Sequence, residues 1–168
     1  GVIENNGTIN VNGEYSIGMY GAQSGTTVTN NKDIVLNASN TTGIYVENNA
    51  KAVNNGSIRT GASGLSNVTG VVLGSGSTLT NNGTININSS GGYATFIVSG
   101  GIIRNHGTIT VSGGAKEEYK PGNKPTGKKV AGVEIHAPAG VQTATITLNG
   151  VPVTPVTITN SVGQREPL

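Results

Sequence analysis

Residues 79–87 read LTNNGTINI, in which two short runs suited to β-strands flank an Asn-Asn-Gly turn. Four other segments align with this stretch without gaps, and they are IENNGTINV from Ile3, VTNNKDIVL from Val28, AVNNGSIRT from Ala52 and IRNHGTITV from Ile103. Successive copies begin 25, 24, 27 and 24 residues apart. A period of this length, built from β-branched runs and Gly/Asn turns, predicts that each copy is one coil of a parallel β-solenoid.

A second motif lies between these copies and repeats independently. Its versions are SIGMYG, TTGIYV, VTGVVL and YATFIV, anchored at Gly18, Gly43, Gly70 and Thr95 and therefore 25, 27 and 25 residues apart. A β-propeller would need about 40–50 residues per blade, and a leucine-rich repeat would need a lattice of Leu that this chain lacks. We therefore expect an all-β parallel β-helix of about 25 residues and three short strands per coil.

Alternation along each strand assigns the side chains that should face the core. The first strand should contribute a column of Ile9, Ile34, Ile58, Ile85 and Ile109. The strand of the second motif should contribute Met19, Ile44, Val71 and Phe96, and the third side should contribute Ile3, Val28, Ala52, Leu79 and Ile103.

The composition excludes several other classes of protein. Gly contributes 27 residues and Asn and Thr 21 each, together 69 of 168, which is unfavourable for helices. Recurring β-branched residues, with 11% charged residues, argue against disorder. A net charge of +2 is too small for a nucleic-acid binder, and the absence of Cys excludes disulfides. No apolar run reaches the roughly 18 residues of a transmembrane helix.

One Asn of each repeat should occupy the same corner of its coil. Asn side chains stacked at the strand spacing can bond to the amides above and below, so we expect a structural ladder rather than a ligand groove. The predicted ladder comprises Asn5, Asn30, Asn54, Asn81 and Asn105, with Asn160 as a sixth member after the rhythm resumes.

The rhythm of the coils, which spans residues 1–113, is interrupted twice near the carboxyl end. Residues 114–129 hold five of the ten basic residues and two Pro, which predicts an inserted charged loop. Residues 130–138 should return to the strand of the second motif. Residues 139–157 contain TATITLNGVPVTP, and its Asn149-Gly150 pair predicts an inserted β-hairpin. Residues 158–168 should start the next coil, with Ile158 in the column of Val28.

The sequence offers no grouping that indicates catalysis or metal binding. The stretch GNKPTGKK approaches a phosphate-binding loop, but Lys129 replaces the required hydroxyl residue. Asp33 is the only Asp, and Glu117 and Glu118 are adjacent rather than opposed, so we expect no catalytic residue, cofactor or metal. Tyr residues 15, 20, 45 and 93 indicate either an aromatic stripe for sugar stacking or ordinary outward-facing strand residues.

The motifs resemble the passenger repeats of large type V autotransporter adhesins, particularly those of fusobacteria. The segments that carry the resemblance are NNGTINV, SIGMYG, TTGIYVENNAKAVNNGSI, VAGVEIHAPAG and TATITLNGVPVTP, which together span most of the chain. The resemblance implies a right-handed parallel β-helix at the outer-membrane surface of a bacterium, exported through a C-terminal barrel that this chain lacks. It also implies adhesion to host cells or other bacteria and a part in virulence, with the chain an excised piece of a longer passenger.

We therefore expect a non-enzymatic structural or adhesive segment whose partner is a protein or glycan receptor on a cell surface. A carbohydrate-active β-helix, such as a lyase or tailspike fragment, and a pure spacer of an adhesin stalk are the alternatives. If this segment binds a partner, the contacts should lie in the two insertions, because insertions in solenoids often form the binding face. The alternative is that the insertions have no binding role and are tolerated because surface loops cost little extra entropy. The candidate contact residues are Lys116, Glu117, Glu118, Tyr119, Lys120, Lys124 and Asn149.

Overall fold

The computed structural model describes residues 1–98 and 101–113 in full, and beyond them the backbone of six strands. All elements in these described parts are β-strands, so the fold is all-β as the repeat predicts. Five strands form the first sheet: β1 (Val2–Asn5), β4 (Thr27–Asn30), β7 (Lys51–Asn54), β10 (Thr78–Asn81) and β13 (Ile102–Asn105). Five begin the second sheet: β2 (Thr8–Val11), β5 (Asp33–Leu36), β8 (Ser57–Thr60), β11 (Thr84–Asn88) and β14 (Thr108–Ser112). Four begin the third sheet: β3 (Ile17–Ala22), β6 (Thr42–Glu47), β9 (Ser66–Leu73) and β12 (Ser90–Ile97).

Each coil contributes one strand to each of the three sheets, and equivalent strands of successive coils pair in parallel. In the second sheet, Ile34 lies level with Ile9 and with Ile58, and Ile85 lies level with Ile58 and Ile109. The register of the second sheet therefore follows the alignment of the sequence repeats. The predicted solenoid of about 25 residues and three strands per coil is confirmed.

The core is a narrow column of stacked apolar side chains. Ile34, Ile58 and Ile85 are fully buried, and burying each such side chain stabilises the fold by roughly 1.5–3 kcal/mol. Ile3, by contrast, is 41% exposed, because no preceding coil in this chain covers its end of the first sheet. The full burial of an inward side chain therefore requires a neighbouring coil on each side.

One predicted inward side chain was assigned to the wrong face. Thr95 lies level with Val71 and is fully buried, whereas Phe96 lies level with Val72 and is partly exposed. The cause is the register of this strand, which places Ala94, rather than Thr95, level with Gly70. Each following residue is therefore one position further along than the sequence alignment predicts, and Phe96 falls on an outward position.

The predicted charged loop contains two strands, β15 (Lys116–Tyr119) and β16 (Gly127–Val130). Strand β15 pairs in parallel with β12, so that Tyr119 lies level with Ile97. Strand β17 (Val133–His136) pairs in parallel with β15 and antiparallel to β16, so it is not the strand that stacks directly on β12. A charged segment can continue the sheet because the pairing uses backbone groups, which every residue except Pro can supply in full.

The predicted hairpin is confirmed, but its first arm belongs to the solenoid. Strand β18 (Thr143–Leu148) pairs antiparallel with β19 (Val151–Pro152) and also in parallel with β14, where Ile146 lies level with Ile109. Strand β20 (Val156–Thr157) pairs antiparallel with β18. Residues 156–157 therefore lie within the predicted insertion of residues 139–157. Ile158 and Asn160 lie outside the described residues, so the expected return of the chain to the first sheet stays a prediction.

Candidate functional site

A continuous chain of amide hydrogen bonds runs along one corner of the coils. Nδ2 of Asn30 donates to Oδ1 of Asn54 at 2.9 Å, and Nδ2 of Asn54 donates to Oδ1 of Asn81 at 2.8 Å. The end bonds, from Asn5 to Asn30 and from Asn81 to Asn105, measure 2.9 and 2.7 Å. All five side chains are buried. We call these residues the inner ladder; because their side chains are buried and bonded to one another, they form part of the framework of the coils.

The next residue of each corner forms a second file of amides, which we call the outer ladder. It comprises Asn6, Asn31, Asn55 and Asn82, all exposed, with Nδ2 to Oδ1 distances of 2.9 Å between neighbours. Donation in the outer ladder runs from each coil to the preceding one, opposite to the inner ladder. His106 occupies the equivalent position of the fifth coil and is exposed.

The outward side of the third sheet carries three of the six exposed large apolar side chains of the described residues, together with several that are partly exposed. Tyr20, Tyr45, Val72 and Phe96 lie level with one another on four successive strands. Because strands are about 4.8 Å apart, this column is about 15 Å long. Ile17, Tyr93 and Val98 flank it on the same side. We call these seven residues the aromatic face.

Two pairs of aromatic rings are in contact on the aromatic face. The ring centroids of Tyr20 and Tyr45 are 5.6 Å apart with the planes tilted by 45°, and those of Tyr93 and Phe96 are 4.8 Å apart. Such aromatic pairs contribute roughly 0.5–1.5 kcal/mol beyond their burial. Tyr20 nevertheless remains 47% exposed and Ile17 43% exposed, so the face keeps apolar surface in contact with water.

A single carboxylate borders the aromatic face. The hydroxyl of Tyr20 donates a hydrogen bond to Oε1 of Glu47, and this bond is the main cause that raises the pKa of Tyr20 above its ordinary value of 10.0. The pKa of Tyr45 is also raised, first by burial and then by the charge of Glu47. Both phenols therefore remain neutral donors at physiological pH, beside an acceptor.

The sequence located this face only in part. Tyr20 and Tyr45 contact each other, but Tyr93 contacts Phe96, and Tyr15 is 83% exposed in a turn with a φ of 60°. The four Tyr residues therefore do not form one continuous stripe. Phe96 was missed because the alternation along its strand predicted an inward position, and Val72 was missed because a Val among Tyr residues gives no distinct signal.

The predicted partner-contact residues fall largely where the structure gives no side-chain information. Residues 116–119 are described as the backbone of β15, which extends the third sheet beside the aromatic face. Lys120, Lys124 and Asn149 lie outside the described residues. The contact role of these residues therefore remains a prediction.

Within the described ranges, no group of three or more His, Cys, Asp or Glu side chains is placed to hold a metal ion. The one ion pair found there joins Arg59 to Asp33 at 3.2 Å, with the two side chains 46% and 23% exposed. The same part of the chain contains no helix of the length and apolar character that a membrane crossing requires.

Comparison with models of protein families, with curated proteins and with solved structures finds no match for the chain. The fold is therefore established by the structure alone, and the similarity to autotransporter passengers remains an expectation drawn from the motifs.

Proposed function

We propose that the chain is a non-enzymatic, adhesive segment of a bacterial surface autotransporter. In this proposal it forms part of a rod at the outer membrane and attaches to a protein or glycan receptor on host cells or other bacteria. The observation that supports it best is the aromatic face, which continues over four coils of a repetitive scaffold.

The composition of this face suits contact with a partner. Exposed apolar patches mark interaction sites, and Tyr is enriched at interfaces because it combines a large apolar area with a polar tip. Tyr20 and Tyr45 present two such side chains next to the carboxylate of Glu47. Because both are held on paired strands, little conformational entropy is lost when a partner binds, which favours affinity.

The rod itself suits display at a distance from a cell. Each coil adds one strand to every sheet, so the same contacts can be repeated along a longer chain. The inner ladder links consecutive coils through buried hydrogen bonds, which resist bending and sliding. A pure spacer would need this rod but not the aromatic face.

Beads coated with the purified chain should attach to epithelial cells or to other bacteria. Replacing Tyr20, Tyr45 and Phe96 with Ser should reduce attachment by about tenfold or more, which corresponds to a loss of roughly 1.4 kcal/mol in binding. The matched control replaces exposed Asn10 and Asn86 of the second sheet with Ser and should attach like the parent. Equal attachment by both variants, or none by the parent, would contradict an adhesive role and leave the spacer as the better explanation.

A further inference from the structure

Seven Asn residues lie in the tripeptide Asn-x-Ser/Thr, which is the acceptor signal for N-linked glycans when x is not Pro. They are Asn6, Asn37, Asn40, Asn55, Asn67, Asn82 and Asn88, and in none of them is x a Pro. None of the seven is buried, and five are exposed. The five buried residues of the inner ladder are followed at the second position by Gly or Lys, so none of them is an acceptor.

The two ladders also differ in how they use the amide hydrogens. A primary amide has two N–H groups. Nδ2 of Asn54 donates to Oδ1 of Asn81 at 2.8 Å and to the backbone oxygen of Thr84 at 3.0 Å, so both of its hydrogens are engaged. A sugar on this nitrogen would break a buried bond.

In the outer ladder each Nδ2 uses only one of its two hydrogens to bond to the preceding coil. Nδ2 of Asn82 donates to Oδ1 of Asn55 at 2.9 Å, and Nδ2 of Asn55 donates to Oδ1 of Asn31 at the same distance. Among the described residues, neither nitrogen donates to a second protein acceptor. Because both side chains are exposed, a sugar can replace the second hydrogen and leave the ladder bond intact.

We propose that the outer ladder is a row of N-glycosylation sites, with Asn6, Asn55 and Asn82 as the acceptors. Asn31 interrupts the row, because Asp33 stands where Ser or Thr would be required. In the transfer, a bond forms between Nδ2 and the anomeric carbon of a phosphate-activated sugar. The bond from that carbon to the phosphate oxygen breaks, the phosphate leaves with its electron pair, and the Nδ2 proton passes to a base of the transferase.

The backbone of the acceptor tripeptide indicates when the transfer takes place. In the folded chain the backbone N–H of Asn55 donates to the oxygen of Asn30 at 2.8 Å, and that of Ser57 donates to the oxygen of Lys32 at 2.7 Å. A transferase cannot bend this segment into its active site without breaking these bonds. Sugar is therefore added before the coils stack, while the chain is still unfolded.

Spacing limits what the row can carry. Asn55 and Asn82 are on adjacent coils, about 4.8 Å apart. Single sugars can stand side by side at that distance, whereas a branched oligosaccharide on one acceptor would cover its neighbour. We therefore expect short glycans, or full occupancy at only one of these two positions.

Mass spectrometry of the protein purified from the cells that produce it tests the proposal. Trypsin cleaves after Lys51 and Arg59, and the peptide between them holds the buried Asn54 and the acceptor Asn55 side by side. Fragmentation should place a sugar on Asn55 and none on Asn54, and further peptides should carry sugar on Asn6 and Asn82. Unmodified Asn6, Asn55 and Asn82, or a sugar on Asn54, would overturn the proposal.

Two variants expressed in the same cells separate the acceptor signal from the ladder. Ser57→Ala removes the signal but leaves Asn55 and its hydrogen bond, so the sugar should be lost from Asn55. Ser57→Thr preserves the signal and should retain it. Sugar on Asn55 in Ser57→Ala would show a transfer that ignores the tripeptide and would also overturn the proposal. The outcome does not depend on the adhesive role, because no binding is measured.

Discussion

Asn54 is the residue whose loss should affect the solenoid most directly. Its side chain is fully buried, accepts from Asn30 at 2.9 Å and donates to Asn81 at 2.8 Å. Asn54→Ala removes the acceptor of one buried N–H of Asn30 and the donor to the buried Oδ1 of Asn81. We expect the free energy of unfolding to fall by roughly 1–3 kcal/mol. Chemical denaturation, with an unchanged dependence on denaturant, measures this loss.

The adjacent residue provides a matched control. Asn55 belongs to the outer ladder, and water can replace its hydrogen bonds because it is exposed. Asn55→Ala should therefore cost at most about 1 kcal/mol. If the two variants were equally stable, the inner ladder would contribute nothing specific to the fold.

Glycine at the corner of the fourth coil is required by its close approach to the preceding coil. A Cβ on Gly83 would lie 2.0 Å from the backbone oxygen of Gly56, whereas a Cβ on Gly7 would meet no atom within 4 Å. Gly83→Ala must shift the backbone of two coils and should destabilise the chain by about 1–3 kcal/mol or more.

Gly7→Ala stands in the same motif and should be neutral or stabilise the chain by up to about 1 kcal/mol, because Ala restricts the unfolded state. Thermal unfolding of both variants checks this difference. A loss at Gly7 as large as at Gly83 would show that backbone conformation, rather than lack of space, selects Gly at the corner.

At the scale of the strands, Tyr20 on β3 and the pair Tyr45 and Glu47 on β6 interact, and the two phenols titrate at high pH. The pKa values of Tyr20 and Tyr45 are raised in the folded chain, so the unfolded chain loses these protons first as the pH rises. The stability contributed by the two phenols is therefore complete below pH 10 and is lost as the pH rises through their raised pKa values. Glu47→Ala should bring both phenolate titrations, followed by ultraviolet absorbance, closer to pH 10. Unchanged midpoints would mean that Glu47 has no influence on these phenols.

The sequence predicts strands β1–β14 and their register well, because one motif such as NNGTI recurs at the same corner of each coil. The sequence-based prediction is wrong where packing and strand pairing, rather than the repeated motif, decide how a residue is placed. Phe96 was assigned inward because only the structure shows that Ala94, rather than Thr95, lies level with Gly70. Charge and Pro in residues 114–129 predicted a loop, yet β15 pairs with β12 through backbone groups that composition does not reveal.

The candidate site was harder to predict than the fold for the same reason. Tyr20 and Tyr45 stand at equivalent positions of two repeats, so their proximity followed from the period. Their link to Glu47 did not, because it depends on the conformation of long side chains. Phe96 lies on the aromatic face because it pairs with Val72, one residue away from the Val71 that the sequence alignment places beside it.

At the scale of the whole molecule, the two ladders point in opposite directions along the rod. The inner ladder donates toward later coils and the outer ladder toward earlier ones. The hydrogen bonds of the two files of side-chain amides therefore run in opposite directions between successive coils. Together with the apolar column, this arrangement makes the stability of the rod depend mainly on neutral groups.

This dependence on neutral groups predicts that the stability of the chain is nearly independent of salt. In the described part of the chain, the pair between Arg59 and Asp33 is the one ion pair, and it is partly exposed. Such pairs contribute about 0–1 kcal/mol and are screened at high ionic strength. Raising NaCl from about 0.05 M to about 1 M should therefore shift the melting temperature by no more than about 4 °C. Circular dichroism during heating measures the shift, and Arg59→Gln should remove most of it. A fall of about 10 °C or more would contradict a rod stabilised by amide ladders and apolar columns, because only charge pairs weaken so strongly with NaCl.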